Sequence, residues 1–169
     1  MREIEVEKAR ELFSIIPDAP GGRIYHLAEN NLPFITSLRD FLIQKELEYQ
    51  LMPISKEFFN VVVSELKKSE YLKIKELDLT KKRYNHNSKQ YDFVFVTIDL
   101  EKNYDNELFK KIYRIMLNAA YVMIFTPKHL SQNIRESLVE TNFVAINDIE
   151  LFDNLDVISA KKLHGWKRV

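Results

Sequence analysis

The sequence predicts a three-layer α/β/α sandwich: a single domain over residues 1–169 built on a mostly parallel seven-stranded sheet with an antiparallel C-terminal strand pair. Three observations carry this. The run Tyr91-Asp92-Phe93-Val94-Phe95-Val96-Thr97-Ile98-Asp99 is rich in aromatic and β-branched residues and ends on an acid. A central parallel strand reads this way when helices cover both faces and its carboxyl end opens onto a ligand cleft. Short apolar runs alternate with segments of helical period, which implies parallel strands joined by helical crossovers. The last two strands are separated by too few residues for a parallel crossover, so they must run antiparallel.

The elements follow in order. Ile4, Ala9, Leu12, Phe13 and Ile16 recur near helical spacing and predict an amphipathic helix over 2–16, ended by Pro17-Asp-Ala-Pro20-Gly-Gly22. Arg23–Ala28 is the first strand. Pro33 suits the first turn of a helix that turns Phe34, Leu38, Phe41 and Leu42 inward. Tyr49–Met52 is the second strand, and Ser55 is placed to cap a helix carrying Phe58, Phe59, Val62 and Leu66. Leu72–Leu79 alternates imperfectly between apolar and charged residues and predicts a strand nearer an edge. The basic stretch Thr80–Gln90 is a loop, followed by the strand at 92–98. A helix at Glu107–Leu117, a buried strand at Ala119–Phe125 and a helix at Leu130–Glu140 come next. Strands at Phe143–Leu151 and Val157–Leu163, with Asn154 in the turn, close the chain.

Composition narrows the function classes. Of the 169 residues 46% are hydrophobic and 12% aromatic, enough for one sizeable core. Twenty-five basic residues balance twenty-five acidic ones, so no global field favours nucleic acid or a membrane surface. The absence of cysteine excludes disulfides, thiolate catalysis and cysteine-based zinc sites. The acidic, helical start does not read as a signal peptide, and no apolar run approaches the ~20 residues of a membrane span. A cytoplasmic location is expected. No Gly-x-Ser-x-Gly or phosphate-binding glycine loop occurs.

Ligands of open α/β sheets bind beyond the carboxyl ends of the strands, which singles out Asp99, Glu29 and Asp78. Asp99 has a plainer reading, as a cap for the helix that follows. His26, His86, His129 and His164 are scattered without metal-ligand spacing, and no metal site is expected. His26 lies in an apolar strand and reads as a hydrogen-bonded core residue. Two basic clusters, Lys81-Lys82-Arg83 with Lys89 and the tail Lys161–Arg168 around Trp166, could meet an anionic partner or be solvated surface. Trp166 is expected to dock on the domain or on a partner, and Asp148, Glu150, Asp153 and Asp156 are candidates to pair with the tail.

Five sandwiched strands and an antiparallel pair resemble the class I S-adenosylmethionine-dependent methyltransferases, best between Tyr91 and Leu163. Tyr91–Val96 resembles that family's fourth strand, and Asp99-Leu-Glu-Lys-Asn-Tyr104 is similar to the loop of small-molecule O-methyltransferases. Leu117–Ile124 stands where the family has a turn and paired glycines before its fifth strand, and Val157–Lys162 resembles its last strand. The resemblance implies S-adenosylmethionine as cofactor. It places Glu29, Asn30, Asn31, Asp78 and Thr97 around the cofactor, and Asp99 as the group orienting an acceptor in line with the methyl.

The departures are equally specific. The cofactor loop is Glu29-Asn30-Asn31-Leu32-Pro33, without glycine. The second strand ends Leu51-Met52-Pro53, without the acid that holds the ribose. Thr97 stands where a metal-binding aspartate would be, and the paired glycines are Ala119-Ala120. Two readings therefore stand: a degenerate, non-catalytic binding or regulatory module that acts on a protein partner or a second copy, and a methyltransferase with an atypical cofactor loop.

Overall fold

The computed structural model describes residues 1–163. The tail expectations, including His164 and Trp166, lie outside the described residues. Seven strands form one sheet in the order β3-β2-β1-β4-β5-β7-β6: β1 (Arg23–Ala28), β2 (Glu48–Pro53), β3 (Leu72–Ile74), β4 (Tyr91–Thr97), β5 (Met116–Thr126), β6 (Phe143–Ile149) and β7 (Asp156–Lys162). The first five pair in parallel, while β5–β7 and β6–β7 are antiparallel, as the short final connection requires.

Alternation along the strands sorts the core into two layers. On one side Ile24, Tyr49, Leu51, Phe93, Phe95, Met123, Phe125 and Val157 meet α2 (Leu32–Gln44), α3 (Lys56–Glu65) and the N-terminal residues. On the other, Tyr25, Leu27, Val94, Val96, Val122, Ile124 and Ile158 meet α5 (Leu108–Ile115) and α6 (Ser131–Glu140). Residues Phe93 to Val96 are wholly buried on both faces, which accounts for the unbroken apolar run.

Local chemistry sets most boundaries. Pro33 occupies the first turn of α2, where its missing N–H costs nothing. The Ser55 side chain caps α3, accepting the Phe58 N–H at 3.2 Å. Three expectations are corrected. The N-terminal helix is not continuous: α1 (Val6–Ala9) passes into a 3₁₀ segment, Arg10–Ile15, and residues before Val6 leave the helix because the Ile4 N–H is bound by the Asn31 side chain at 2.8 Å. Leu12, Phe13 and Ile16 are nevertheless buried as their spacing implied.

The edge strand β3 ends at Ile74, not Leu79. Lys75 and Leu77 still donate to the Leu51 and Pro53 carbonyls, but Pro53 has no N–H to return, so the ladder stops. The buried strand β5 starts three residues early, because Met116 pairs with Tyr91 before a bulge at which Ala119 takes a left-handed φ of 67°. A short helix α4 (Leu100–Asn103), too brief to leave a periodic signal, follows β4.

His26 is the core residue its strand implied. It is completely buried, with Nδ1 2.6 Å from the Tyr49 hydroxyl and Nε2 2.8 Å from Thr97 Oγ1. Thr97 donates its own proton to the Leu27 carbonyl at 3.3 Å, so it accepts from Nε2–H, and Nδ1 accepts from Tyr49. Desolvation lowers the His26 pKa to about 3 and raises that of Tyr49, which keeps both neutral. Every buried side-chain nitrogen and oxygen among the described residues has a partner.

Two outcomes are expected. Ser55→Ala will lower stability in urea by about 1 kcal/mol through loss of the cap. Below the unfolded histidine pKa of about 6.5 only the unfolded chain binds the His26 proton, so stability falls as pH drops from there towards 3. This contributes up to about 1.4 kcal/mol per pH unit. His26→Asn should flatten the stability–pH curve in that window in parallel urea titrations at pH 7 and 5, and an unchanged slope would contradict a buried neutral imidazole.

Candidate functional site

The parallel register sets Ala28, Pro53 and Thr97 level, so the segments that follow β1, β2 and β4 leave the sheet at one end. Glu29-Asn30-Asn31 links β1 to α2. Asn31 holds φ 66° and ψ 50° at the N-terminus of α2, the left-handed turn that a glycine would make at no cost and that asparagine tolerates better than most residues.

The polar groups of this loop are bound by the chain's own first residues. Asn31 Nδ2 donates to the Arg2 carbonyl (2.9 Å) and to Asn30 Oδ1 (3.0 Å), while Asn31 Oδ1 accepts from the Ile4 N–H. Asn30 Nδ2 donates to the Met1 carbonyl at 2.6 Å. The half-buried Glu29 carboxylate accepts the Asp99 N–H and lies 3.5 Å from the Met1 nitrogen. The fold thus brings Glu29, Asn30, Asn31 and Asp99 together, as expected, but bonded to one another and to Met1–Ile4.

Each remaining candidate has a structural partner. Asp99 caps α4, accepting the Glu101 N–H at 3.0 Å, and its carbonyl accepts from Asn103 Nδ2 at 2.8 Å. That is the plainer of its two sequence readings. Thr97 is fully buried, its hydroxyl engaged by His26 and Leu27, and is not presented at the rim. Asp78 stands on the loop beyond β3, where its carboxylate accepts from the Thr80 N–H (2.9 Å) and hydroxyl (2.7 Å). These bonds, with Lys81 and Lys111 nearby, hold its carboxyl below the usual range.

The sequence reading missed the Met1–Ile4 strap. The adjacent Asn30-Asn31 pair, two amides needing partners on a short turn, was its one signal. Sequence reasoning also missed the rim ion pair of His129 Nε2 with Glu101 Oε1 at 2.9 Å. Among the described residues Asp148 pairs with Arg135 and Asp156 with Lys128, and Ser131 also donates to Asp156. No cluster of three metal-ligating side chains occurs among the described residues, and no helix among them is long and apolar enough to cross a membrane.

These groups do not fit S-adenosylmethionine. Both asparagine side chains are bound to Met1–Ile4, and the Glu29 carboxylate to the Asp99 N–H, so neither is offered to a ligand in this arrangement. Beyond β2, Pro53 and Ile54 provide no carboxylate for ribose hydroxyls. The turn is left-handed in its backbone, while its asparagine side chains are hydrogen-bonded within the chain.

The sequence matches no protein-family model and no curated protein. Solved structures do match. A S-adenosylmethionine-dependent O-methyltransferase from Thermotoga maritima superposes with a TM-score of 0.77 at 16% identity, over 96% of this chain and 68% of that one. A S-adenosylmethionine-dependent methyltransferase from Aquifex aeolicus gives 0.75 at 11% identity, over 91% and 89%. Phosphoethanolamine N-methyltransferase 2 of Haemonchus contortus, solved with S-adenosyl-L-methionine, gives 0.70 at 15% identity, and this chain spans about half (52%) of its length. At such identities the likeness concerns architecture, and with the observed strand order it establishes that this chain has the class I methyltransferase-like fold.

Proposed function

We propose that this chain is a non-catalytic binding or regulatory module built on a methyltransferase-like scaffold. One observation carries the reading: Met1–Ile4 satisfies the side chains of the loop that follows β1, where a methyltransferase would receive its cofactor. Losing those bonds would leave two asparagine amides to be satisfied anew, so the strap opposes cofactor entry. The missing acid beyond β2 and the engagement of Asp99 as a cap support the same reading.

The partner we propose is a protein or a second copy of the chain. Val139 (63% exposed) and Val144 (38% exposed), on and beside the edge strand β6, offer such a partner apolar surface.

A second reading, an atypical S-adenosylmethionine-dependent methyltransferase, draws on the left-handed turn at Asn31, which keeps the backbone geometry of a cofactor loop. Thermal unfolding with S-adenosylmethionine or its demethylated product separates the two. A native-state ligand at 100 times its dissociation constant stabilises by about 2.7 kcal/mol. That would raise Tm by roughly 5–11 °C for a domain of this size. The module reading expects no rise at millimolar cofactor. A rise abolished by Glu29→Ala would overturn it in favour of the methyltransferase.

A further inference from the structure

The opposite end of the sheet carries a second polar site. The loop from Thr80 to Gln90 runs back to the start of β4, and there Arg83, Asn85, Ser88 and Gln90 face Lys111, Arg114 and Ile115 of α5 across a cavity of about 240 Å³. Three cations line it and no carboxylate does. Neither Arg83 nor Arg114 pairs with an acid among the described residues, whereas the neighbouring Lys89 and Lys110 are neutralised by Glu48 and Glu107. In a chain of zero net charge, such a concentration is local.

Two members of the lining, Lys111 and Asn85, are held in place. Lys111 Nζ donates to the Leu79 carbonyl at 3.0 Å and sits 5.4 Å from the Tyr84 ring centre, which anchors the ammonium and leaves further N–H groups to donate. Tyr84 is itself buried, with its hydroxyl on the Leu79 carbonyl. Asn85 Nδ2 is bound to the Lys89 carbonyl at 2.5 Å, fixing that side of the loop. Asn87 and Ser88 both hold left-handed backbone, φ 54° and 59°, the kind of strained turn that persists where surrounding contacts enforce it.

We propose that this cavity binds the phosphate group of a small phosphorylated ligand, with Arg83, Lys111 and Arg114 as its cationic contacts. Guanidinium forks match phosphate oxygens in pairs and the lysine adds a point charge. The volume lies below the roughly 300–1,000 Å³ of sites that enclose drug-sized ligands, which suits a phosphate with a small attached group. Tyr84 on the loop and Tyr91 at its end are 3% and 2% exposed and offer a nucleic-acid strand no face for stacking. The site is remote from the strap at the carboxyl end and holds whether or not that end is catalytic.

The test is calorimetric titration of the full chain with inorganic phosphate and pyrophosphate, with chloride matching the ionic strength. Saturable binding is expected. The double variant Arg83→Gln/Arg114→Gln should weaken it by about tenfold or more, since two charge-assisted bonds are lost, and leave Tm unchanged. Arg114→Lys, which keeps the charge without the fork, should bind with intermediate affinity, and Lys67→Gln/Lys68→Gln, outside the cavity, should bind as the parent does. Absence of saturable binding, or an equal loss in the Lys67/Lys68 variant, would overturn the site. An oligonucleotide that bound tighter than pyrophosphate and lost binding in the arginine variant would overturn the small-ligand assignment.

Discussion

Covering β4 on both faces is the constraint from which the rest of the structure follows. A parallel strand cannot return to its neighbour without a crossover, and each crossover lays a helix on one face of the sheet. Phe93 and Phe95 project towards α2 and the N-terminal residues, while Val94 and Val96 project towards α5 and α6. The aromatic layer is continuous: the Phe34 ring lies edge-on to Phe95 and Phe125 at 6.0 and 5.6 Å, and Phe93 packs on Phe95 at 4.9 Å. His26 sits among these rings and is tolerated only because Tyr49 and Thr97 satisfy both its nitrogens.

The same sheet decides what its two ends can do. At the carboxyl end the left-handed turn after β1 is built with asparagines, which need partners where glycines would need none. Met1–Ile4 meets that need, drawing the N-terminal strap over the loop and delaying the start of the first helix to Val6. The amino end is assembled differently, from a long basic loop and the last turn of α5, and there Arg83 and Arg114 have no acid partner among the described residues. Scaffold and rim are thus decoupled: the architecture is methyltransferase-like, while the polar side chains after β1 bond within the chain.

Much of this is legible in the residues. Periodicity locates all seven strands and the four longer helices, because apolar alternation of period two or 3.6 is the direct record of which faces are covered. Pro33 and Ser55 mark helix starts by local chemistry that needs no tertiary partner. The length of β3 escapes detection because it depends on Pro53 of the neighbouring strand withholding an N–H. The breaking of the N-terminal helix escapes it too, since the competing acceptor, Asn31, is 27 residues away. Similarly, Asp148 and Asp156 find Arg135 and Lys128, pairings that depend on how α6 and the closing strands dock.

The sequence by itself determined the order of elements, the antiparallel close, the loop after β1 without glycine and the end of β2 without an acid, because each is a property of neighbouring residues. Only the tertiary structure decided what the candidate side chains do. Asp99 became a cap, Thr97 a core partner of His26, and Glu29, Asn30 and Asn31 anchors for the strap, because a polar side chain's role is set by the partner that folding brings to it.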